Sequence, residues 1–98
     1  MTAKAERVLV AVPAFNEAVT IAEVVTRVRR SLPGFDLLVI NDGSTDRTQE
    51  ILGDLGVETA HHLCNLGYGR AIQTAIKYAA HHRYDVLITL DADGQHAP

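Results

Sequence analysis

The chain has 98 residues, 47% of them hydrophobic and 21% charged, with a formal net charge of -3. That length allows one small domain over residues 1–98 with a core of thin margin, and the charge gives no bulk pull toward nucleic acid. No apolar run approaches the ~20 residues of a membrane-spanning helix, residues 1–5 lack the apolar core of a secretory signal, and Cys64 is the single cysteine, which fits a reducing, cytoplasmic setting and is expected as a small packed hydrophobe.

Residues 7–12 are a β-branched run, expected as a strand buried on both faces and ended by Pro13, which has no N–H for a ladder. Ile21, Val24, Val25, Val28 and Leu32 share one face of a helix. Arg27, Arg29 and Arg30 lie toward its C-terminal end, where the helix dipole favours cations, and Pro33-Gly34 closes it. Residues 36–40 read as a second strand that stops at the turn-forming Asn41-Asp42-Gly43-Ser44. Asp46 followed by Gln49 resembles a helix start, with Ile51, Leu52 and Leu55 on its buried side and Gly56 as C-cap. Residues 57–60 suggest a short third strand. Leu66-Gly67 opens a third helix whose stripe is Ala71, Ile72, Ala75, Ile76 and Ala79. Residues 85–90 form a fourth strand, apolar on both faces, that runs into Asp91-Ala92-Asp93-Gly94-Gln95-His96.

This alternation predicts an α/β, Rossmann-like three-layer sandwich: a parallel sheet of order 3-2-1-4 with helices on both faces. Three polar clusters, residues 13–17, 41–46 and 91–96, each follow a strand. They therefore gather at the C-terminal strand edge, where such sheets bind ligands.

Asp91 and Asp93 are two residues apart, so in extended chain their carboxylates point the same way. Like charges side by side call for a cation between them. With Gln95 as a third oxygen donor, the set suits Mg2+ or Mn2+; the alternative is a solvated acidic turn. His96 is either a metal ligand or a hydrogen-bonding neighbour. Asp42 either accepts a hydrogen bond from a nucleobase N–H or belongs to a helix-start turn with Ser44 and Asp46. Gly43 allows a sharp turn beside a ligand. Asn16 and Glu17 are equally open between a site and a helix start. Gly67, Gly69 and Arg70 could receive phosphate at a helix N-terminus, a weak signal. The dinucleotide fingerprint is absent at the first strand end, where Ala14-Phe15 stand, which disfavours an oxidoreductase. His61-His62 and His81-His82 read as surface pairs, since adjacent residues point apart.

The motifs together resemble the family 2 glycosyltransferases. Pro13-Ala14-Phe15-Asn16-Glu17 resembles their Pro-x-aromatic-Asn-Glu start, and Asn41-Asp42-Gly43-Ser44-Thr45-Asp46 their Asp-Asp-Gly-Ser-x-Asp turn. The segment from Asn65 to Ala71 resembles their Asn-x-Gly-x-x-x-Ala helix start. Asp91-Ala92-Asp93-Gly94-Gln95-His96-Ala97-Pro98 resembles the metal motif of the polyprenol-phosphate branch, which includes dolichyl-phosphate mannosyltransferases. The resemblance implies the nucleotide-diphospho-sugar transferase (GT-A) fold, truncated. It implies that Pro13, Ala14, Phe15 and Glu17 line the nucleoside, that Ile40 offers backbone beside the base and that Asp42 recognises it. Asp91, Ala92, Asp93 and Gln95 would hold metal and diphosphate, with Asp91 and Asp93 serving the chemistry. The implied reaction moves a sugar, with inversion, from a GDP- or UDP-sugar to a polyprenyl or dolichyl phosphate. The whole enzyme would work at the cytoplasmic face of a membrane. Three departures stand out: Asn41 for the first Asp of the turn, Ala75 where many members have Gly, and length. The 98-residue chain is thus expected to bind donor without completing transfer, and to self-associate, edge to edge along its fourth strand or through the apolar face beside it. A non-catalytic nucleotide-binding or interaction module is the competing expectation.

Overall fold

The β-branched run after Arg7 becomes the centre of a sheet. The computed structural model of the protein describes residues 6–92. Its elements are β1 (Val8–Ala14), α1 (Ile21–Ser31), β2 (Asp36–Asp42), α2 (Thr48–Leu55), β3 (Glu58–His62), α3 (Tyr68–His81) and β4 (Val86–Thr89). All neighbouring strands are parallel, in the order β3-β2-β1-β4 expected from the sequence.

Strand alternation divides the core in two. Val10, Val12 and Ala14 of β1 face one way and pack with Ile21, Val24, Val25 and Val28 of α1 and Leu52 of α2. Leu9 and Ala11 face the other way and pack with Leu38, Ile40 and the alanines Ala71, Ala75 and Ala79 of α3. The side of each helix follows from right-handed crossover. Building outward from β1 to β2 to β3 places α1 and α2 on one face. Jumping back across β1 to reach β4 places α3 on the other. The reversal opens a crevice between the ends of β1 and β4, the usual ligand position in such sheets.

Three details depart from the sequence expectation. β1 does not stop at Pro13 but runs through it to Ala14. Ala11 turns its carbonyl to the N–H of Leu90, so two residues on, Pro13 turns its missing N–H toward the same side, past the end of β4, and no ladder bond is lost. β2 likewise continues through Asn41 and Asp42, which pair with His61 and His62. On α3, Ile76 is 53% exposed while Tyr78 packs against the core. The alanine stripe at spacing four holds the helix so near the sheet that its flanking isoleucine turns outward. Gly56 closes α2 in the left-handed conformation at φ 63°, as expected of a C-cap. Among the described residues no helix is long and apolar enough to cross a membrane.

Candidate functional site

Three loops meet over the C-terminal ends of the strands, and hydrogen bonds lock them together. Asn16 sits at φ 53° in the left-handed region, which Asn tolerates better than most residues. From there its side-chain Oδ1 accepts the backbone N–H groups of Thr45 (2.7 Å) and Asp46 (3.3 Å). In return the Ser44 hydroxyl accepts from Asn16 N (3.0 Å), the buried Thr48 hydroxyl from Glu17 N (3.0 Å), and the Asp46 carboxylate from Ala18 N (3.2 Å). Asp46 also accepts, at 2.9 Å, from the backbone N–H of Thr48, the first residue of α2. The open question at Asn16, Ser44 and Asp46 resolves toward structure: they join the β1–α1 loop to the β2–α2 loop.

Gly43 joins the second loop to a third. At φ 71°, a Cβ placed on it would lie 2.2 Å from the Cys64 carbonyl carbon and 2.4 Å from Asn65 N. Glycine is needed here because the backbone of Cys64 and Asn65 passes directly over it. Cys64 itself is exposed rather than packed, a correction to its expected place in the core.

Asp42 is 4% exposed and holds the third loop from below. Its Oδ1 accepts from Leu66 N at 2.9 Å and from His62 Nδ1 at 2.7 Å, and its Oδ2 accepts from Gly67 N at 2.9 Å. Burial pushes the carboxyl pKa up, but the His62 bond and the two backbone N–H groups outweigh it and hold the group below its ordinary value. The start of α3, in sequence only a weak candidate to receive phosphate, already has an anion: the Asp42 carboxylate takes the N–H of Gly67. His62 was not legible as a site residue. It is a partly buried link whose Nε2 lies 2.7 Å from the Thr74 hydroxyl on α3, so only its neighbour His61 is exposed. Asn41, standing where an Asp is usual, is buried and uses its amide on His61 and on Ser44 N.

The locked loops frame a cleft of about 240 Å³ at the switch point of the sheet. Pro13, Ala14, Phe15 and Glu17 from the end of β1, Asp42 from β2, and Asp91 and Ala92 beyond β4 all line it. Asn65, Gly67, Tyr68 and Ala71 complete the wall. The Thr20 hydroxyl donates to the Ala92 carbonyl at 2.7 Å, tying the segment after β4 to the start of α1. Ile40 is the exception among the described candidates. It is fully buried in the α3-side core, its backbone lies in the ladder between Pro13 and Ala60, and it does not line the cleft. Asp93, Gln95 and His96 lie outside the described residues. Asp91 presents a hard, exposed carboxylate at the cleft, chemistry that fits Mg2+ or Mn2+.

Comparison with known proteins gives this arrangement its context. An uncharacterised protein of Methanocaldococcus jannaschii is 40% identical over 94 residues, covering 95% of this chain and 38% of that protein. The polyprenol monophosphomannose synthase of Mycolicibacterium smegmatis is 33% identical over 99 residues, covering 95% of this chain and 37% of that one. The chain therefore spans less than two fifths of the length of these relatives. Among solved structures, glucosyl-3-phosphoglycerate synthase from Mycobacterium tuberculosis, in complex with Mn2+, UDP and glucosyl-3-phosphoglycerate, superposes with a TM-score of 0.73. That match has 24% identity and covers 89% of this chain and 33% of that one, and it shows the shared nucleotide-sugar transferase fold. The family model of glycosyl transferase family 2 matches residues 9–98, and the chain belongs to that family.

Proposed function

We propose that the chain forms the donor-binding part of a glycosyltransferase. In this reading the cleft takes the nucleoside diphosphate of a UDP- or GDP-sugar, and the whole enzyme passes the sugar, with inversion, to a polyprenyl phosphate. The observation that carries the reading is the cleft between the ends of β1 and β4, with an aromatic ring and a carboxylate on one side and Asp91 on the other. Its volume lies below the roughly 300–1,000 Å³ of complete ligand pockets, which accords with a donor held only in part by residues 6–92.

Phe15, 39% exposed, offers a ring face for the nucleoside, and Asp42 offers an acceptor for a base N–H. Asp91, with Asp93 and Gln95, would hold Mg2+ or Mn2+. When bound, such an ion supplies positive charge to offset the charge gathering on the departing diphosphate. The chain's own part is to orient: the Thr20–Ala92 bond holds the segment carrying Asp91, and the Asn16 contacts hold the segment carrying Phe15 and Glu17. A phosphate acceptor is already anionic, so its attack on the sugar needs no general base from these residues.

Isothermal titration calorimetry with UDP, GDP and NAD, with and without Mn2+, tests the reading. UDP or GDP should bind, more tightly with Mn2+, and NAD should not. Phe15→Ala should weaken nucleotide binding about tenfold through lost stacking, and Asp91→Asn should remove most of the gain from Mn2+. Absence of UDP and GDP binding in both conditions would overturn it.

A further inference from the structure

The proposed base contact at Asp42 raises a question of supply, because the carboxylate is largely used up by the protein. Each carboxylate oxygen has about two acceptor sites. Oδ1 takes the N–H of Leu66 and the Nδ1 of His62, which fills it. Oδ2 takes the N–H of Gly67, which leaves one site. Both backbone donors come from the cleft-lining loop, and each can donate to either oxygen of a rotated carboxylate. The asymmetry comes from His62.

His62 is well placed to impose it. The ring is pinned at both ends, to Asp42 at 2.7 Å and to Thr74 at 2.7 Å, and the Thr74 hydroxyl also reaches the Arg70 carbonyl at 3.1 Å. A carboxylate only accepts, so Nδ1 carries the hydrogen. Nε2 can accept from the Thr74 hydroxyl, or donate to it while Thr74 donates to Arg70. Nδ1 remains a donor to Asp42 in both arrangements. Strand β3 fixes the His62 backbone opposite Asp42, and α3 fixes Thr74, so the ring bridges two elements of the sandwich.

We infer that His62 is the positioning residue of the donor site: by occupying Oδ1 of Asp42 it reserves the last acceptor site, on Oδ2, for a nucleobase N–H in the cleft. The inference rests on the nucleotide-binding reading for its ligand, and it goes beyond that reading in assigning specificity to a residue that does not line the cleft.

Two substitutions separate the two ends of the ring. Asn at position 62 places an amide nitrogen near the place of Nδ1, and Gln places one near that of Nε2. His62→Asn keeps the donor to Asp42 and loses Thr74, while His62→Gln keeps Thr74 and loses Asp42. Calorimetry with Mn2+ should show His62→Asn binding UDP or GDP close to the unsubstituted chain and His62→Gln binding about tenfold more weakly, the worth of one hydrogen bond to a charged group. Inorganic pyrophosphate, which has no base, should bind all three alike. Equal nucleotide affinity in both variants, or parallel loss of nucleotide and pyrophosphate in His62→Gln, would overturn the inference.

Amide exchange at Leu66 and Gly67 gives a readout free of ligand. It should quicken in His62→Gln and not in His62→Asn, and equal exchange in the two would sink the positioning role. If the unsubstituted chain bound neither nucleotide, the donor-site reading would fall, and this exchange pattern alone would still decide whether His62 sets the Asp42 carboxylate.

Discussion

Asp42 spends most of its hydrogen-bonding capacity inside the protein, and its charge state should therefore be felt in stability. Its folded pKa lies below the ordinary 3.8. A lowered carboxyl pKa stabilises the fold fully above the unfolded value, and the contribution is lost as pH falls through the folded one. The advantage of the unsubstituted chain over Asp42→Asn should thus be constant near neutrality and shrink once pH drops below about 4, as read from urea midpoints across pH. Asn16 makes a second test. Asn16→Ala loses the acceptor for Thr45 and Asp46 and must hold a left-handed backbone, a cost of about 2 kcal/mol. Asn16→Gly keeps the backbone freedom and should lose roughly half as much by the same denaturation measurement. Both residues were legible as candidates, because turn-forming types after a strand are few. What spacing could not show was whether their partner is a ligand or the chain's own N–H groups. His62 was hidden by the rule that neighbours on a strand point apart. That rule excludes a chelating pair, but it also sends one of the two inward.

The elements themselves were easier to read than their ends. Apolar stripes on α1 and α3 and unbroken apolar runs in β1 and β2 report burial directly, and right-handed crossover then leaves few sheet orders. Strand ends are hard to read where a side chain that usually breaks a strand falls past its neighbour's end, as Pro13 does beside β4. Ile76 shows a limit of a helical stripe: small residues narrow the contact, so the flanks of the stripe leave the core. The same narrowness makes α3 sensitive to size. Ala75 is fully buried against Leu9, Ala11, Leu38 and Ile40. Ala75→Leu should cost about 1–3 kcal/mol by overpacking, whereas Ile76→Ala, at an exposed position, should change the midpoint little. Thermal unfolding followed by circular dichroism would compare the two.

The molecule taken entire has one open side and one locked end. On the open side, β4 pairs with β1 and with no other strand among the described residues, and Leu90 just beyond it is 37% exposed. Unpaired N–H and C=O groups along such an edge invite another chain, so the 98-residue chain is expected to self-associate. Sedimentation equilibrium should give a mass that rises with concentration, and a monomer at all concentrations would count against that expectation. At the locked end, the closeness of Gly43 to Cys64 and the grip of Asn16 on Thr45 and Asp46 bind three connections into one body. At the opposite end, an added Cβ at Gly34 or Gly56 meets nothing within 4 Å, in contrast to Gly43. That contrast tells a protein engineer where the chain can be lengthened. Tags, probes or a whole inserted module belong at the turns around Gly34 and Gly56, where an added side chain has room. A single residue added between Asn41 and Asp46 would push one connection out of step with the two it is fastened to.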